Sequence, residues 1–168
     1  MKNNCIVLIG MPGVGKSSLG KVLAHKLKFN FVDVDEYITE REGKSSAEII
    51  EAYGEEFYLE LEKRRMYEII LENLVASPGG SIIYHPDLMA YLKKNSTLIY
   101  LKDSLENIEK RLKSRTKTMN CIIGIRTKTL KEIFEERVIL YQKYCDIKIC
   151  IEHKTIDEIV GEIQGSCG

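Results

Sequence analysis

The chain has 168 residues, 44% apolar and 30% charged, the ordinary balance of a sequence that builds one buried core. Basic and acidic side chains balance at 25 each, which excludes a global field that would recruit nucleic acid or an anionic membrane, so any anion site must be local. The five cysteines (5, 121, 145, 150 and 167) are odd in number with no C-x-x-C pair, the three histidines lie far apart, and no run of 18 apolar residues occurs. The expectation is a single domain over residues 1–168, cytoplasmic and monomeric, with reduced thiols, no intrinsic metal cluster and no nucleic-acid or membrane partner.

In chain order, Cys5-Ile6-Val7-Leu8-Ile9 is an apolar, β-branched run that reads as a buried strand. Residues 17–27 follow with helical spacing (Leu19, Val22, Leu23, Leu27). Between them stands Gly10-Met11-Pro12-Gly13-Val14-Gly15-Lys16-Ser17, which meets the phosphate-loop pattern G-x-x-x-x-G-K-[ST] at every fixed position. The chemistry follows from the residue types. Glycines let backbone N–H groups turn inward on phosphate oxygens, and the next helix offers its positive end. Lys16 would reach the terminal phosphates and the Ser17 hydroxyl would hold Mg²⁺, so Gly13, Val14, Gly15, Lys16, Ser17 and Ser18 are the expected nucleotide contacts.

Residues 29–33 read as a second strand, and 35–42 and 45–53 as short helices stopped by Gly43 and Gly54. A longer helix is expected from about 55 to 73, then a third strand over 74–77 ended by Pro78-Gly79-Gly80. Residues 86–94 are helical with Pro86 at the start, 97–101 form a fourth strand, and 105–112 lie in the helix after it. Residues 113–128 break the rhythm: basic, without clear periodicity, with one apolar patch at Cys121-Ile122-Ile123. Such a segment reads as an active-site lid or as an ordinary surface excursion. A helix over 130–144, a strand over 146–151 and a helix over 156–163 complete the chain. The alternation predicts an α/β, three-layer P-loop NTPase fold: a five-stranded parallel sheet with helices on both faces and a lid segment.

Asp33 and Asp35 stand two apart at the end of the second strand, the end where ligands bind in such sheets. Were the strand to continue through them, both carboxylates would point to one side, one serving Mg²⁺ and the other taking a proton from an attacking hydroxyl. The other reading of the pair is helix capping before Glu36-Tyr37-Ile38. His85 before Pro86 reads as helix-start geometry, and Tyr53, Phe57 and Tyr58 as core or acceptor-pocket aromatics.

The chain resembles the shikimate kinase family over most of its length. The resemblance is carried by residues 10–23 (GMPGVGKSSLGKVL), residues 31–38 (FVDVDEYI), Gly54-Glu55 with Glu62, residues 76–80, and Arg137 with Leu140-Tyr141. It implies transfer of the ATP γ-phosphoryl group, with Mg²⁺, to a hydroxyl of a small carbon-ring acid. It further implies that Asp33 assists the metal and Asp35 acts as base, that Gly79 and Gly80 approach the acceptor, and that Arg137 pairs its carboxylate. Arg111 would flank the adenine, and Tyr58 takes the place of the family's pocket phenylalanine.

Three positions depart from that family. Leu59 stands where the family has its substrate-binding arginine, a loss of about 1.5–3 kcal/mol in carboxylate affinity. With Glu62 retained, Asp35 and Glu62 would face Arg137 alone, a balance better suited to a neutral or amine-bearing acceptor. Asn120 stands in place of the lid arginine, with Lys113, Arg115, Lys117 and Arg126 as candidate replacements. Pro78 replaces the first glycine of a three-glycine turn and stiffens it. The competing readings are a nucleotide or gluconate kinase, against which the scarcity of lid arginines counts, and a nucleotide-binding regulator without turnover.

Overall fold

The structure is a computed structural model that describes residues 1–167, apart from the side chains at 116 and 117. The strands β1 (Cys5–Ile9), β2 (Asn30–Asp33), β3 (Leu74–Ser77), β4 (Thr97–Lys102) and β5 (Ile147–Cys150) form one sheet in the order β2-β3-β1-β4-β5. Every pairing is parallel, as expected from the alternation of strands and helices.

Both faces of the sheet are covered, and the strands show it residue by residue. Cys5, Val7 and Ile9 of β1 enter one apolar cluster, while Ile6 and Leu8 enter the other. Leu98 and Tyr100 of β4 divide from Ile99 and Leu101 in the same way. That is the period-2 alternation of an extended chain buried on both sides, which is why these strands read as unbroken apolar runs. The smaller cluster takes the inner stripes of α1 (Lys16–Leu27) and α9 (Ile156–Cys167) through Leu19, Leu23, Val160 and Ile163. The larger one takes α2 (Val34–Glu42), α3 (Ser46–Tyr53), α4 (Glu55–Glu68), α5 (Pro86–Asn95), α6 (Leu105–Lys113) and α8 (Leu130–Tyr144). No helix among the described residues is long and apolar enough to cross a membrane.

Gly43 and Gly54 stop α2 and α3 as expected, at φ 67° and 89°. Two expectations are corrected. α4 ends at Glu68, not near Asn73, because Ile69 is extended. Ile69 and Leu71 turn into the core at 7% exposure each while Ile70 between them is 80% exposed. The apolar run imitates a continuing helix, but burial every second residue needs an extended link. Between the glycine turn and α5, where the sequence carries no periodic signal, Ile82–Tyr84 form a 3₁₀ turn. Finally, β2 does not continue through Asp35: the strand ends at Asp33, and Asp35 stands in the first turn of α2.

The segment 113–128 is structured. It holds a short helix α7 (Thr116–Asn120) and a turn closing at Gly124, whose φ of 89° favours glycine. Its apolar patch is its anchor: Ile122 and Ile123 are 3% and 8% exposed and join the larger cluster. The Gly124 N–H donates to Glu55 Oε2 at 3.0 Å, and Arg137 Nη2 donates to the Ile123 carbonyl at 3.0 Å.

Candidate active site

The carboxyl ends of β1, β2 and β3 are neighbours because β3 lies between the other two. The loops leaving them enclose a cleft of about 330 Å³. On one wall is the loop after β1, where Gly13 and Gly15 adopt φ of 78° and 102°, conformations that L side chains rarely reach. Gly13, Gly15, Lys16, Ser17 and Ser18 line the cleft, whereas Val14 lies beneath it at 3% exposure. Lys16 Nζ donates to the carbonyls of Gly10 at 2.9 Å and Met11 at 3.1 Å. Burial lowers its pKa to about 8, opposed by the charge of Asp35, so the ammonium is poorly solvated and close to an acid.

The end of β2 supplies the second wall, and there Asp33 takes the helix-capping role that one reading of the aspartate pair gave it. Asp33 caps α2, accepting from the N–H groups of Asp35 at 3.1 Å and Glu36 at 3.3 Å through Oδ1, a contribution of about 1 kcal/mol. Its Oδ2 accepts from the Ser17 hydroxyl, and Ser77 Oγ lies 3.5 Å from the same Ser17 oxygen. Ser77 is an addition to the expected residues. Its signal was register: it is the β3 residue paired with Asp33.

Asp35 is solvent-accessible from the cleft mouth, yet protein crowds its carboxylate on the remaining sides. That loss of water raises its pKa above the usual carboxylate range; the Tyr58 hydrogen bond opposes the rise, Asp33's charge adds to it and Lys16 opposes it. Tyr58 is 3% exposed and donates to Asp35 Oδ1 at 2.7 Å. Tyr53 and Phe57 go elsewhere: both are exposed and their rings meet tilted at 38°, with centroids 5.0 Å apart.

The glycine turn after β3 closes the floor. A Cβ at Gly80 would stand 2.7 Å from Pro12 Cδ and 2.9 Å from Arg137 Nη1, and one at Gly79 would collide with the Glu62 carboxylate. Arg137 is 1% exposed and still lines the cleft. Its Nε donates to the Tyr84 hydroxyl at 3.2 Å, and Tyr141, whose hydroxyl donates to the Gly80 carbonyl at 2.7 Å, lies against the guanidinium.

Glu62 belongs to this floor and not to the cleft surface, for its exposure is 0%. Oε2 accepts from Ser81 Oγ at 2.9 Å, and Oε1 has no hydrogen-bond partner among the described residues. The expected opposition of two carboxylates to Arg137 therefore reduces, at the accessible surface, to Asp35 alone. Burial, with Asp35's charge, pushes the Glu62 pKa from 4.5 to about 7. The folded chain thus holds this proton more tightly than the unfolded one. The stabilisation is complete below about pH 4.5 and is lost as pH rises through 7. Glu62→Gln removes the titration, so its stability relative to the parent should rise between pH 4.5 and 8, by up to about 3 kcal/mol. Urea midpoints at both pH values measure it, and a pH-independent difference would show an ordinary carboxylate.

Two expected residues lie away from the cleft. Leu59 is half-buried against the larger apolar cluster. Arg111 Nη1 is held 2.6 Å from the buried Asp103 carboxylate. Asn120 is exposed and does not line the cleft; of the candidate cations, Arg115 does line it, Lys113 and Arg126 are exposed and do not, and the Lys117 side chain lies outside the described residues. His85 is buried at the start of α5, as helix-start geometry implies.

A left-handed glycine loop with lysine and serine, leading from a central parallel strand into a helix and facing an aspartate across a small cleft, defines a P-loop small-molecule kinase. The family model for shikimate kinase matches residues 12–167. A shikimate kinase from Persephonella marina is 38% identical over 161 residues, 95% of this chain and 96% of its own. A crystal structure of shikimate kinase from Aquifex aeolicus superposes with a TM-score of 0.80 at 32% identity, covering 96% of this chain and 94% of that one. One from Acinetobacter baumannii in complex with shikimate reaches 0.87 over 96% and 91% of the two chains; at 24% identity this likeness speaks for the fold. The chain belongs to the shikimate kinase family, and its activity is ATP-dependent phosphoryl transfer of the shikimate kinase kind.

Proposed function

We propose that the acceptor is shikimate, phosphorylated on a hydroxyl that lies against Asp35, with its carboxylate directed at Arg137. The observation that carries the reading is the sharing of one cleft by Lys16, Asp35 and Arg137. The names of the relatives, alike over nearly the whole chain, support the choice of acceptor. In the transfer, the acceptor oxygen forms its bond to the γ-phosphorus as the bond to the β-phosphate oxygen breaks. Asp35 takes the hydroxyl proton, and ADP leaves. Gly13, Gly15 and the N-terminus of α1 cradle the phosphates through backbone N–H groups, and Lys16 neutralises the oxygens that gain charge.

Mg²⁺ fits the donor set beside the loop. Ser17 and Asp33 offer oxygen only, and among the described residues no group of three His, Cys, Asp or Glu side chains could close around a metal. A cation that keeps its waters and takes the rest of its shell from phosphate suits that economy of ligands. When bound it screens the charge of the phosphate chain, and Ser17 and Asp33 would hold it. Arg115 lines the cleft, which supports reading it as the cation that meets the phosphoryl group in the absence of an arginine at 120.

Acceptor-dependent ADP release tests the reading, with a panel of hydroxy acids, hydroxyl-bearing amino acids and polyols. Shikimate should be preferred, with a high KM because Leu59 stands where a second carboxylate-binding arginine is expected beside Arg137. Preference for an amino acid or a polyol would overturn the acceptor. Nucleotide binding with no acceptor turning over would favour a regulator.

A further inference from the structure

Tyr58 does more than wall the cleft. A phenol carries one proton to give and lone pairs to receive with. Here the proton goes to Asp35 Oδ1 at 2.7 Å, so the Ser46 hydroxyl, 2.9 Å from the same oxygen, must be its donor. Ser46 and Tyr58 are 8% and 3% exposed and come from different helices, α3 and α4, which meet beside the cleft. The result is a directed chain of hydroxyls running from the first turn of α3 to the carboxylate at the start of α2. Burial, with the charges of Asp35 and Glu62, holds the phenol far above the usual tyrosine range, so it stays a donor throughout.

We propose that Tyr58 is a positioning residue for the transfer step: the Ser46–Tyr58 chain pins Oδ1 of Asp35 and so leaves Oδ2 to receive the acceptor's hydroxyl proton. An aspartate has two equivalent oxygens and a broad terminal torsion, so an unpinned carboxylate samples orientations in which neither oxygen faces the nucleophile. Oδ2 has no protein donor among the described residues, whereas Oδ1 has one with good geometry. A phenylalanine at 58 would preserve the wall and lose the pin. The placement of Ser46 gave no signal in the sequence, where Ser45 and Glu48 form the capping box of α3 and Ser46 reads as an ordinary first-turn residue.

This inference rests on Asp35 as the base, and the experiment separates the two ideas. Tyr58→Phe, Ser46→Ala and their double variant are assayed with ATP and shikimate, beside Asp35→Asn. Tyr58→Phe should lower kcat roughly tenfold with the KM for ATP unchanged, the size of one hydrogen bond to a charged group. Ser46→Ala should give a smaller fall in kcat, and none further in the Tyr58→Phe background, because the two act as one chain. Should Tyr58→Phe not fold, a lowered kcat at constant KM in Ser46→Ala carries the test. A kcat within twofold of the parent in Tyr58→Phe, or losses that multiply independently in the double variant, overturns the proposal. If Asp35→Asn itself leaves turnover undiminished, it is the base assignment that fails.

Discussion

Asp35→Asn should reduce acceptor phosphorylation by roughly 10²–10⁴-fold while magnesium–ATP binding survives. The substitution is nearly isosteric, and a side-chain carbonyl can still accept the hydrogen bond that Tyr58 donates to the carboxylate. What is lost is the capacity to take a proton. The capping of α2 is untouched, because there the Asp33 side chain and the Asp35 backbone N–H do the bonding. A coupled ADP assay measures the loss, and calorimetry with magnesium and a non-hydrolysable ATP analogue measures the retained binding. Turnover surviving within tenfold would mean that the acceptor hydroxyl is deprotonated elsewhere.

Arg137→Met should act on two properties at once. Methionine approximates the apolar stem of the side chain but donates nothing. The Tyr84 hydroxyl loses a donor while keeping Glu136, the Ile123 carbonyl loses its partner, and so does the carboxylate proposed to lie there. A hydrogen bond from a charged group is worth about 1.5–3 kcal/mol, so the KM for shikimate should rise roughly 10- to 100-fold. The released turn at Ile123 and its unpartnered carbonyl should also lower the melting temperature, by roughly 4–8 °C for a loss of about 2 kcal/mol in a chain of this size. Arg137→Lys should recover little, since an ammonium cannot reproduce the planar fork of donors. Steady-state kinetics and a thermal melt read the two effects separately. A KM within twofold of the parent would place the acceptor's carboxylate elsewhere.

The parallel sheet, the phosphate loop and the kinase chemistry were legible because local sequence alone dictates them. β-branched runs such as Cys5-Ile6-Val7-Leu8-Ile9 have few ways to be buried, and the glycine spacing at 10–15 has one known use. The aspartate pair was legible at the end of the second strand, and the family resemblance added the glycine turn and Arg137; Asp35, the turn and Arg137 share one cleft. What stayed hidden depends on crossings between distant segments. The resemblance set Glu62 and Leu59 among the acceptor contacts, but on α4 Glu62 is fully buried in the floor and Leu59 packs half-buried against the larger apolar cluster. Asp33 resisted a single assignment because its two oxygens serve different neighbours, a helix start and Ser17. Residues 113–128 lacked periodicity since one five-residue helix and two buried isoleucines hold them, too little to leave a pattern.

The strand β3, interposed between β1 and β2, works as a gauge block. Adjacent strands lie about 4.8 Å apart, so the tips that bear the phosphate loop and the aspartate helix stand roughly 10 Å from each other. That gap is set by backbone hydrogen bonding and no side chain can retune it. Leu59 and Asn120 can therefore drift with little effect on how far the nucleophile stands from phosphorus, and evolution of a new acceptor is confined to the far end of the molecule being phosphorylated.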